Sequence, residues 1–313
     1  MSTPFHRAIY LTGPTASGKT AIGVALAERL GAEVVAMDSM TLYRGLDIGT
    51  AKPTDDERRG VTHHLIDVID PWDSASVADY LGWADEAVRA IEARGRLALF
   101  VGGTPLYLKA LLRGLFDGPA ADPAIRAELD REDDATLHAR LSQADPITAK
   151  RLPPADRRRV VRALEVFALT GRPISSFQTE HQTPAEGVRV FALDRPREEL
   201  RDRIDGRVVA MFDNGLLDEV RRVRSDPDRP LNPVPAQGVG YREAIAHLDG
   251  AIAREEAIAQ TQARTRQFAK RQRTWFRGLA ECRPFPIEPG EPAEAIAHRL
   301  AEAIDLPRPG PIC

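Results

Sequence analysis

Eight residues near the N-terminus decide the fold, and they read Gly13-Pro14-Thr15-Ala16-Ser17-Gly18-Lys19-Thr20. A glycine, four further residues and then Gly-Lys-Thr form the pattern of a P-loop, in which backbone N–H groups surround phosphate oxygens. An apolar run at 8–11 precedes the loop and a helical pattern at 21–30 follows it, which is the strand–loop–helix context that the motif requires. The stretch therefore predicts a site for a phosphate ester or a diphosphate, with Lys19 on the outer phosphate and the Thr20 hydroxyl on Mg²⁺.

Short apolar segments alternate with helical patterns over residues 7–115, which predicts a mainly parallel sheet with helices on both faces. The predicted strands of this region lie at 8–11, 33–37, 64–68 and 97–101. Apolar residues at helical spacing predict a helix over 77–91, and Thr104-Pro105 begins another that runs to about 112. The fold class that follows is α/β, of the P-loop type.

The middle of the chain has a different character. Turns rich in proline and glycine separate short helical patterns from 118 to 186, and no strand pattern appears there. A strand pattern returns at 188–193, so this helical segment is expected to be inserted between two strands of the sheet. The predicted domains are a core made of 1–117 and 187–313 and a small all-helical insertion made of 118–186.

Helical patterns dominate the last part of the chain. The predicted elements are helices at 196–224, 251–279 and 293–304, a Pro-rich loop at 226–236 and a strand at 283–287.

The chain has 313 residues and a formal net charge of −3, so its composition gives no overall signature of nucleic-acid binding. Its apolar runs have the length of strands, and the N-terminus has no signal-peptide pattern, so we expect no membrane partner. The two cysteines form neither a disulfide framework nor a metal-ligand spacing. Since no large apolar stripe is left unassigned, these features are typical of a monomeric, cytoplasmic protein.

Asp38 is the acidic residue best placed to serve the phosphate loop. An ordinary P-loop kinase or NTPase has a second strand that ends in an Asp for Mg²⁺, but the strand at 97–101 runs into Gly102-Gly103-Thr104 instead. Asp38 follows the strand at 33–37, at the edge where open α/β sheets place their ligands. It is expected to face the loop as a metal ligand or as a general base, and the alternative is an Asp that caps a turn.

Arginine and lysine residues are concentrated in two helical patterns. Arg266, Lys270, Arg273 and Arg277 lie on one face of the last long helix, and residues 257–280 include no acidic residue. This stripe is either a solvated surface or a site for a phosphate-rich partner. The second group is Arg157-Arg158-Arg159 with Arg162, at the start of a helix, where cations oppose the helix dipole; it predicts a carboxylate or phosphate partner.

Six further motifs follow the P-loop in order along the chain. They are Asp-Ser-Met-Thr-Leu-Tyr-Arg-Gly-Leu-Asp-Ile-Gly-Thr-Ala-Lys-Pro at 38–53, His-Leu-Ile-Asp at 64–67, Val-Gly-Gly-Thr at 101–104, Arg-Ala-Leu-Glu-Val at 162–166, Gly-Tyr-Arg-Glu at 240–243 and Lys-Arg-Gln-Arg-Thr-Trp at 270–275. With these motifs the chain resembles the bacterial tRNA dimethylallyltransferases, or tRNA isopentenyltransferases, of the IPP transferase family, from about residue 8 to about 280. Their shared order makes the resemblance specific.

The resemblance implies an enzyme that transfers the dimethylallyl group of dimethylallyl diphosphate to N6 of adenosine 37, next to the anticodon of a tRNA. Diphosphate is released, and Mg²⁺ is the cofactor. The P-loop residues Gly13 to Thr20 would hold the leaving diphosphate, with Lys19 stabilising its charge. Asp38 would accept the proton of the adenine amine, and Thr104 would lie at the substrate.

The resemblance also implies contacts with the anticodon stem–loop. The residues that it places on tRNA are Asp38, Ser39, Met40, Thr41, Thr104, Arg126, Arg158, Arg159, Arg162, Gln237, Gly240, Tyr241, Arg242, Lys270, Arg273 and Arg277. Thr41 stands where many members have Gln, and Ala155 stands where members often have Asn. Both departures concern the reading of RNA and leave the diphosphate site unchanged.

Two other functions stay open at the level of sequence. A small-molecule or nucleotide kinase could use the same loop for ATP, although the chain lacks the Asp at the strand end. A non-catalytic RNA-binding protein could keep the loop as a vestige, although Lys19, Thr20 and Asp38 are all intact.

Overall fold

The structure is a computed structural model that describes residue 5 and residues 7–115, 118–177 and 184–304. The chain divides into two compact units: Met1–Leu112 together with Pro184–Cys313, and Arg113–Thr183. The second unit overlaps the helical insertion expected at 118–186. The family resemblance also implies that this insertion grips tRNA, which stays a prediction. No helix in the described residues combines the length and apolar character needed to cross a membrane.

The first unit is built on a parallel sheet, as the sequence predicts. In the described residues it has six strands in the order β3-β2-β4-β1-β5-β6, and all of the pairs are parallel. The strands are β1 Ile9–Thr12, β2 Ala32–Ala36, β3 His63–His64, β4 Leu97–Val101, β5 Arg189–Asp194 and β6 Cys282–Pro286.

Helices surround this sheet in the first unit. They are α1 Lys19–Leu30, α2 Asp55–Arg58, α3 Val77–Ala93, α4 Pro105–Arg113 (its last residue is assigned to the second unit), α10 Arg197–Asp213, α11 Leu216–Val223, α12 Pro233–Ala236, α13 Tyr241–Leu248, α14 Arg254–Arg277 and α15 Ala293–Ala303. The second unit contains α5 Pro123–Leu129, α6 Asp134–Ala144, α7 Pro146–Ala149, α8 Arg157–Thr170 and α9 Ile174–Phe177, packed around Leu137, Leu141, Val160 and Leu164.

Successive side chains of a strand point to opposite faces of the sheet, so each face of this sheet has its own apolar layer. Leu11 of β1 packs with α1 and α15, where Leu26 and Leu300 are fully buried. The next residue back, Tyr10, belongs to the opposite layer and stacks on Phe100, with ring centroids 5.0 Å apart. A sheet that is covered on both faces needs continuous apolar strands, which is the pattern that the sequence shows. The core therefore fixes the carboxyl ends of β1, β2 and β4 relative to one another.

The predicted strand at 64–68 is wrong beyond His64. Leu65 has φ 62° and Asp67 has φ 57°, so the chain turns away from the sheet. Its backbone bonds to the preceding segment instead, with the Val68 N–H donating to the Leu42 carbonyl at 2.7 Å. The buried Lys52 side chain holds this turn, since its Nζ lies 2.5 Å from the Asp67 carboxylate. A distant ion pair thus overrides a local apolar pattern.

The helical region predicted at 196–224 contains two helices, α10 and α11. Asn214 and Gly215 separate α10 from α11, and Gly215 adopts φ 100°, which favours glycine. The Pro-rich loop expected at 226–236 contains α12 at its end, and α13 follows although the sequence analysis assigned no helix there.

Glu33 of β2 is the centre of an ion-pair cluster with Arg94 and His64. It is 3% exposed, and Arg94 donates to both carboxylate oxygens at 3.0 and 2.7 Å. His64 Nε2 lies 2.7 Å from the same carboxylate. The hydrogen bond from Arg94 is the main reason that the pKa of Glu33 falls from 4.5 to about 2, against the opposing effect of burial.

Replacing the Glu33 carboxylate should change how the free energy of unfolding depends on pH. A folded-state pKa below the unfolded one stabilises the fold above about pH 4.5, and this contribution is lost as pH falls towards about 2. Glu33→Gln is expected to lower the free energy of unfolding at pH 7 by about 2 kcal/mol, because charge-assisted hydrogen bonds are lost. The deficit should shrink as the pH is lowered below 4.5. Urea unfolding between pH 7 and 3 measures it, with Glu86→Gln at an exposed position of α3 as control. A deficit that stays constant over this range would contradict the expectation.

Candidate active site

The residues from Gly13 to Gly18 form the loop between β1 and α1, and Lys19 and Thr20 begin the helix. Gly13, Ala16 and Gly18 have φ angles of 148°, 63° and 90°, which bend the backbone around one centre. The Ser17 N–H donates to the Pro14 carbonyl at 3.2 Å, and Lys19 Nζ donates to the same carbonyl at 2.8 Å. Because α1 begins at Lys19, its N-terminal N–H groups and the positive end of its dipole lie at this loop. The geometry is that of an anion site.

A cavity of about 760 Å³ opens on the loop. Its walls include Thr15, Ala16, Gly18, Lys19 and Thr20 from the loop, Asp38 and Thr41 from the end of β2, and Arg203 and Arg207 from α10. The structure thus brings Asp38 and the phosphate loop to one cavity at the carboxyl edge of the sheet, where the sequence analysis expected them to meet.

Lys19 and Asp38 share a desolvated environment. Burial is the main effect on both groups: it lowers the pKa of Lys19 to about 7 and raises the pKa of Asp38. Each charge partly offsets this effect on the other, and the Met40 N–H favours the Asp38 carboxylate by donating to Oδ1 at 2.9 Å. An anion entering the cavity would stabilise the charged form of Lys19.

Two arginines of α10 approach the loop, and the sequence analysis missed both. Arg203 Nε donates to the Ala16 carbonyl at 2.9 Å, and Arg207 donates to the Thr15 hydroxyl. Arg207 Nε is buried and has no hydrogen-bond partner among the described residues, so it retains a donor in the wall of the cavity. Their spacing of four residues on a predicted helix was an available signal, since it puts both side chains on one face.

Close packing joins the end of β4 to the end of β2. A Cβ at Gly102 would overlap the Met37 carbonyl, so only glycine fits there. Thr104 accepts a hydrogen bond from the Ser39 N–H at 3.2 Å, and its own N–H donates to the Met37 carbonyl at 3.3 Å. The structure therefore places Thr104 against the turn that carries Asp38.

Gln272 connects this turn to the phosphate loop, and the sequence analysis did not single it out. Its side chain is buried on α14, with Oε1 accepting from the Thr15 N–H at 2.8 Å. Nε2 donates to the Gly103 carbonyl at 2.6 Å. One amide thereby fixes the distance between the loop and the end of β4.

The segment 47–53 is fixed by a second buried group. Glu219 of α11 accepts hydrogen bonds from the N–H groups of Asp47, Ile48 and Gly49, at 2.8, 2.7 and 3.1 Å. The same carboxylate accepts a hydrogen bond from the Tyr241 hydroxyl at 2.7 Å. Burial, and then the Glu219 charge, raise the pKa of Tyr241. Tyr241, expected on tRNA, is thus completely buried. Gly240 precedes it as the N-cap of α13.

Three of the four cations of the basic stripe on α14 have carboxylate partners outside the helix. Arg273 and Arg277 lie 2.7 and 3.4 Å from the Asp194 carboxylate, and Arg266 pairs with Asp205. These carboxylates come from β5 and α10, which an inspection of the helix alone could not include. Lys270 is exposed on the surface of the same helix.

The arginines expected on tRNA in the second unit mostly have carboxylate partners. Glu165 is completely buried and contacts Arg126 at 2.7 Å and Arg162 at 2.5 Å. Arg159 lies 3.4 Å from Asp156, and Arg158 is exposed on α8. Carboxylates, one of the two kinds of partner that the sequence left open, are therefore present for Arg159 and Arg162.

Fold and site define an α/β protein whose phosphate-binding loop and desolvated carboxylate face one cavity at the carboxyl edge of a parallel sheet. The family model of the IPP transferases matches residues 41–279, and the isopentenyl transferase model matches residues 7–69. The tRNA dimethylallyltransferase of Pelotomaculum thermopropionicum is 44% identical over 303 residues, which cover 95% of this chain and 96% of that protein. The tRNA dimethylallyltransferase of Geobacter metallireducens is 47% identical over 283 residues, covering 88% and 91%.

Solved structures agree with these relatives. The tRNA isopentenylpyrophosphate transferase of Bacillus halodurans is 39% identical, with a TM-score of 0.70 and 95% of both chains covered. A eukaryotic dimethylallyltransferase captured acting on tRNA is 27% identical, with a TM-score of 0.77 over 89% of this chain and 73% of that chain. The chain belongs to the IPP transferase family.

Arg207 should be needed for binding diphosphate itself. Arg207→Gln removes a guanidinium from the cavity wall and is expected to weaken binding of inorganic diphosphate by about ten- to a hundredfold, the usual effect of losing a hydrogen bond to a charged group. Isothermal titration calorimetry measures the affinity. Arg201→Gln is the matched control, because Arg201 lies on the same helix with its side chain 70% exposed. Equal affinities of the two variants would exclude Arg207 from the diphosphate site.

Proposed function

We propose that this protein transfers the dimethylallyl group of dimethylallyl diphosphate to N6 of adenosine 37 in tRNA, giving N6-dimethylallyladenosine and diphosphate. The observation that carries the proposal is the shared cavity, in which the phosphate loop faces Asp38 in a chain of the IPP transferase family. This transfer reaction needs two parts, which are a loop that binds a diphosphate and a carboxylate that accepts a proton.

The residues of the cavity would have two tasks, one at the leaving diphosphate and one at the N6 acceptor. The bond from the dimethylallyl carbon to the diphosphate oxygen breaks, and its electron pair leaves with that oxygen. The N6 lone pair forms the new C–N bond, and Asp38 takes the proton that N6 gives up. Lys19, Arg207 and the N–H groups of the loop would stabilise the charge that develops on the departing diphosphate.

Desolvation serves this chemistry. An allyl centre with cationic character reacts with any water nearby, so donor and acceptor have to be held in line and dry. Lys19 and Asp38 are half-buried, and burial is the main cause of the pKa effects at both groups. Thr104 and Gln272 would keep the turn at Asp38 and the phosphate loop at a fixed distance.

The oxygen donors at the loop fit Mg²⁺. Ser17 Oγ is buried there without a hydrogen-bond partner among the described residues, and Thr20 and Asp38 line the cavity. The described residues contain no cluster of three His, Cys, Asp or Glu side chains, as expected for an ion that takes most of its ligands from substrate phosphates and water. Thr20, with the diphosphate, would hold the ion. When bound, Mg²⁺ would neutralise charge on the diphosphate.

We further propose the anticodon stem–loop as the part of tRNA that is bound. The exposed cations Arg158, Arg242 and Lys270 remain on the surface for its phosphates. Arg126, Arg162, Arg273 and Arg277 already have carboxylate partners, and their expected contacts with tRNA would have to compete with these ion pairs.

A transfer assay tests the proposed function. Purified protein, Mg²⁺, dimethylallyl diphosphate and unmodified tRNA bearing three adenosines at 36–38 are incubated, and the nucleosides are analysed by mass spectrometry. The expected result is a gain of about 68 Da, the mass of C5H8, on a single adenosine. ATP turnover without this product would favour the kinase, and RNA binding without either reaction would favour the vestigial loop.

Asp38→Asn tests whether Asp38 is the general base, because the substitution preserves the turn that holds this residue. The amide oxygen can still accept from the Met40 N–H, so the site should keep its shape, but asparagine cannot take the proton. Turnover is expected to fall by about 10²- to 10⁴-fold, with donor and tRNA affinities nearly unchanged. Single-turnover kinetics and binding titrations separate the two effects. If turnover stays within a few fold of wild type, Asp38 is not the base.

A further inference from the structure

The cavity of the candidate active site is larger than the two proposed reactants need. Dimethylallyl diphosphate has about 14 non-hydrogen atoms and adenine about 10. At roughly 20 Å³ for each atom, somewhat less than the roughly 30 Å³ of a water molecule in the liquid, the two would take about 480 Å³. The cavity has a volume of about 760 Å³. It therefore has space for a larger substrate, and the residues that line this space indicate its chemistry.

The cavity has a charged end and an apolar end. Lys19, Asp38, Arg203 and Arg207 line the charged end, at the phosphate loop. The apolar end lies on the face of the sheet that α1 covers, and we refer to it as the apolar lobe. The residues that define the apolar lobe are Val24 of α1, Val34 and Ala36 of β2, Val101 of β4, and Ala51 and Pro53. A ligand that fits both ends has an anionic head and a hydrocarbon tail.

The depth of the apolar lobe can be read along β2. Val34 and Ala36 are two residues apart and share one face of this strand. Asp38 follows Ala36 by two residues, so the lobe begins next to the proposed general base and runs from Ala36 to Val34, about 7 Å. An additional isoprene unit lengthens a prenyl chain by about 5 Å, since it adds four C–C bonds of about 1.5 Å in a zigzag. The lobe therefore has the length for one additional unit and not for two.

Helix α1 leads from the phosphate loop into the apolar lobe. Thr20, Gly23 and Val24 line the cavity along one face of this helix. A Cβ at Gly23 would lie 2.8 Å from the Val101 side chain, so the glycine allows α1 to approach β4 closely. This contact closes the lobe on the side of β4, and the lobe extends towards β2 instead. A chain whose diphosphate lies at the N-terminus of α1 is thereby directed along β2.

Polar residues mark the inner end of the apolar lobe. His63 lies opposite Val34 in the pairing of β3 with β2. Arg59 pairs with Glu28, which lies one helical turn beyond Val24 on α1. Both His63 and Arg59 line the cavity. A hydrocarbon chain long enough to reach them would remove part of the hydration of an imidazole and a guanidinium, which is unfavourable. The lobe is thus limited in length by the chemistry of its inner end.

We propose that the apolar lobe binds the second isoprene unit of a ten-carbon allylic diphosphate, so that this protein also transfers the geranyl group to N6 of the target adenosine. The inference rests on the proposed function and keeps its bond changes. The bond from C1 to the diphosphate oxygen breaks and its electron pair leaves with that oxygen, while the N6 lone pair forms the C–N bond and Asp38 takes the proton. Burial of the additional unit favours binding, since each methylene removed from water strengthens it about fourfold. The limited length of the lobe excludes a fifteen-carbon donor.

Three donors are compared in the transfer assay with the wild-type protein: dimethylallyl, geranyl and farnesyl diphosphate. Geranyl transfer is expected to add about 136 Da, the mass of C10H16, to a single adenosine. Its kcat/KM should lie within about tenfold of the value for dimethylallyl diphosphate, because the additional unit enters the lobe without displacing a polar group. Farnesyl diphosphate should give no product.

Two substitutions of Val34 test whether the tail lies in the lobe. Val34→Phe fills its inner end and is expected to lower kcat/KM for geranyl diphosphate at least about tenfold, with the value for dimethylallyl diphosphate within about threefold of wild type. Val34→Ala lengthens the lobe and should give a farnesyl product, a gain of about 204 Da. Val190→Ala is the matched control, because it removes the same methyl groups from a buried position of β5 in the opposite apolar layer.

Each outcome decides the inference. A dimethylallyl product without a geranyl product from the wild type overturns it and leaves the proposed function intact. Geranyl transfer that Val34→Phe lowers no more than dimethylallyl transfer also overturns it, since the tail then lies elsewhere. If circular dichroism shows that Val34→Phe does not fold, Val34→Ala decides: unchanged donor selectivity, or the same change in Val190→Ala, overturns the inference. If no donor gives a product, the proposed function fails and the inference fails with it.

Discussion

A single buried amide determines how the parts of this site are held together. Gln272 of α14 accepts from the Thr15 N–H and donates to the Gly103 carbonyl, so it ties the phosphate loop, the end of β4 and the longest helix to one point. In a desolvated setting both halves of the amide must stay paired, because an unmatched polar group costs about 1–3 kcal/mol. The positions of the phosphate loop and of the end of β4, which carries Thr104 against the turn at Asp38, therefore depend on each other.

Local patterns in the sequence were sufficient for the sheet and the loop. Strand-length apolar runs predict a buried parallel sheet, and the spacing of Gly13, Gly18 and Lys19 predicts the anion site without knowledge of any partner. Asp38 could be placed because parallel strands end at one edge of the sheet. The features that were missed depend on residues far apart in the chain: Gln272 is 257 positions from Thr15, and Arg207 is 192 positions from it.

The same distance in sequence explains why the carboxylate partners of the basic stripe were not predicted. Arg273 finds its carboxylate on Asp194, 79 residues earlier, and Arg266 finds one on Asp205. An inspection of one helix can count charges but cannot tell which of them are paired in three dimensions. The strand prediction at 65–68 was wrong for a related reason, because Asp67 forms an ion pair with Lys52 where the sequence pattern predicts a strand. The sequence alone was sufficient to recognise apolar periodicity, but it did not show which charged residues pair with each other.

Glu219 has a consequence for the shape of the cavity. The consecutive N–H groups of Asp47, Ile48 and Gly49 converge as they do in anion-binding nests, and this protein fills that nest with its own carboxylate. Segment 47–53 also contributes Thr50, Ala51 and Pro53 to the wall of the cavity. A buried anion on α11 thereby holds the backbone that leads into this wall, so a change at α11 would be transmitted to the cavity through the chain itself.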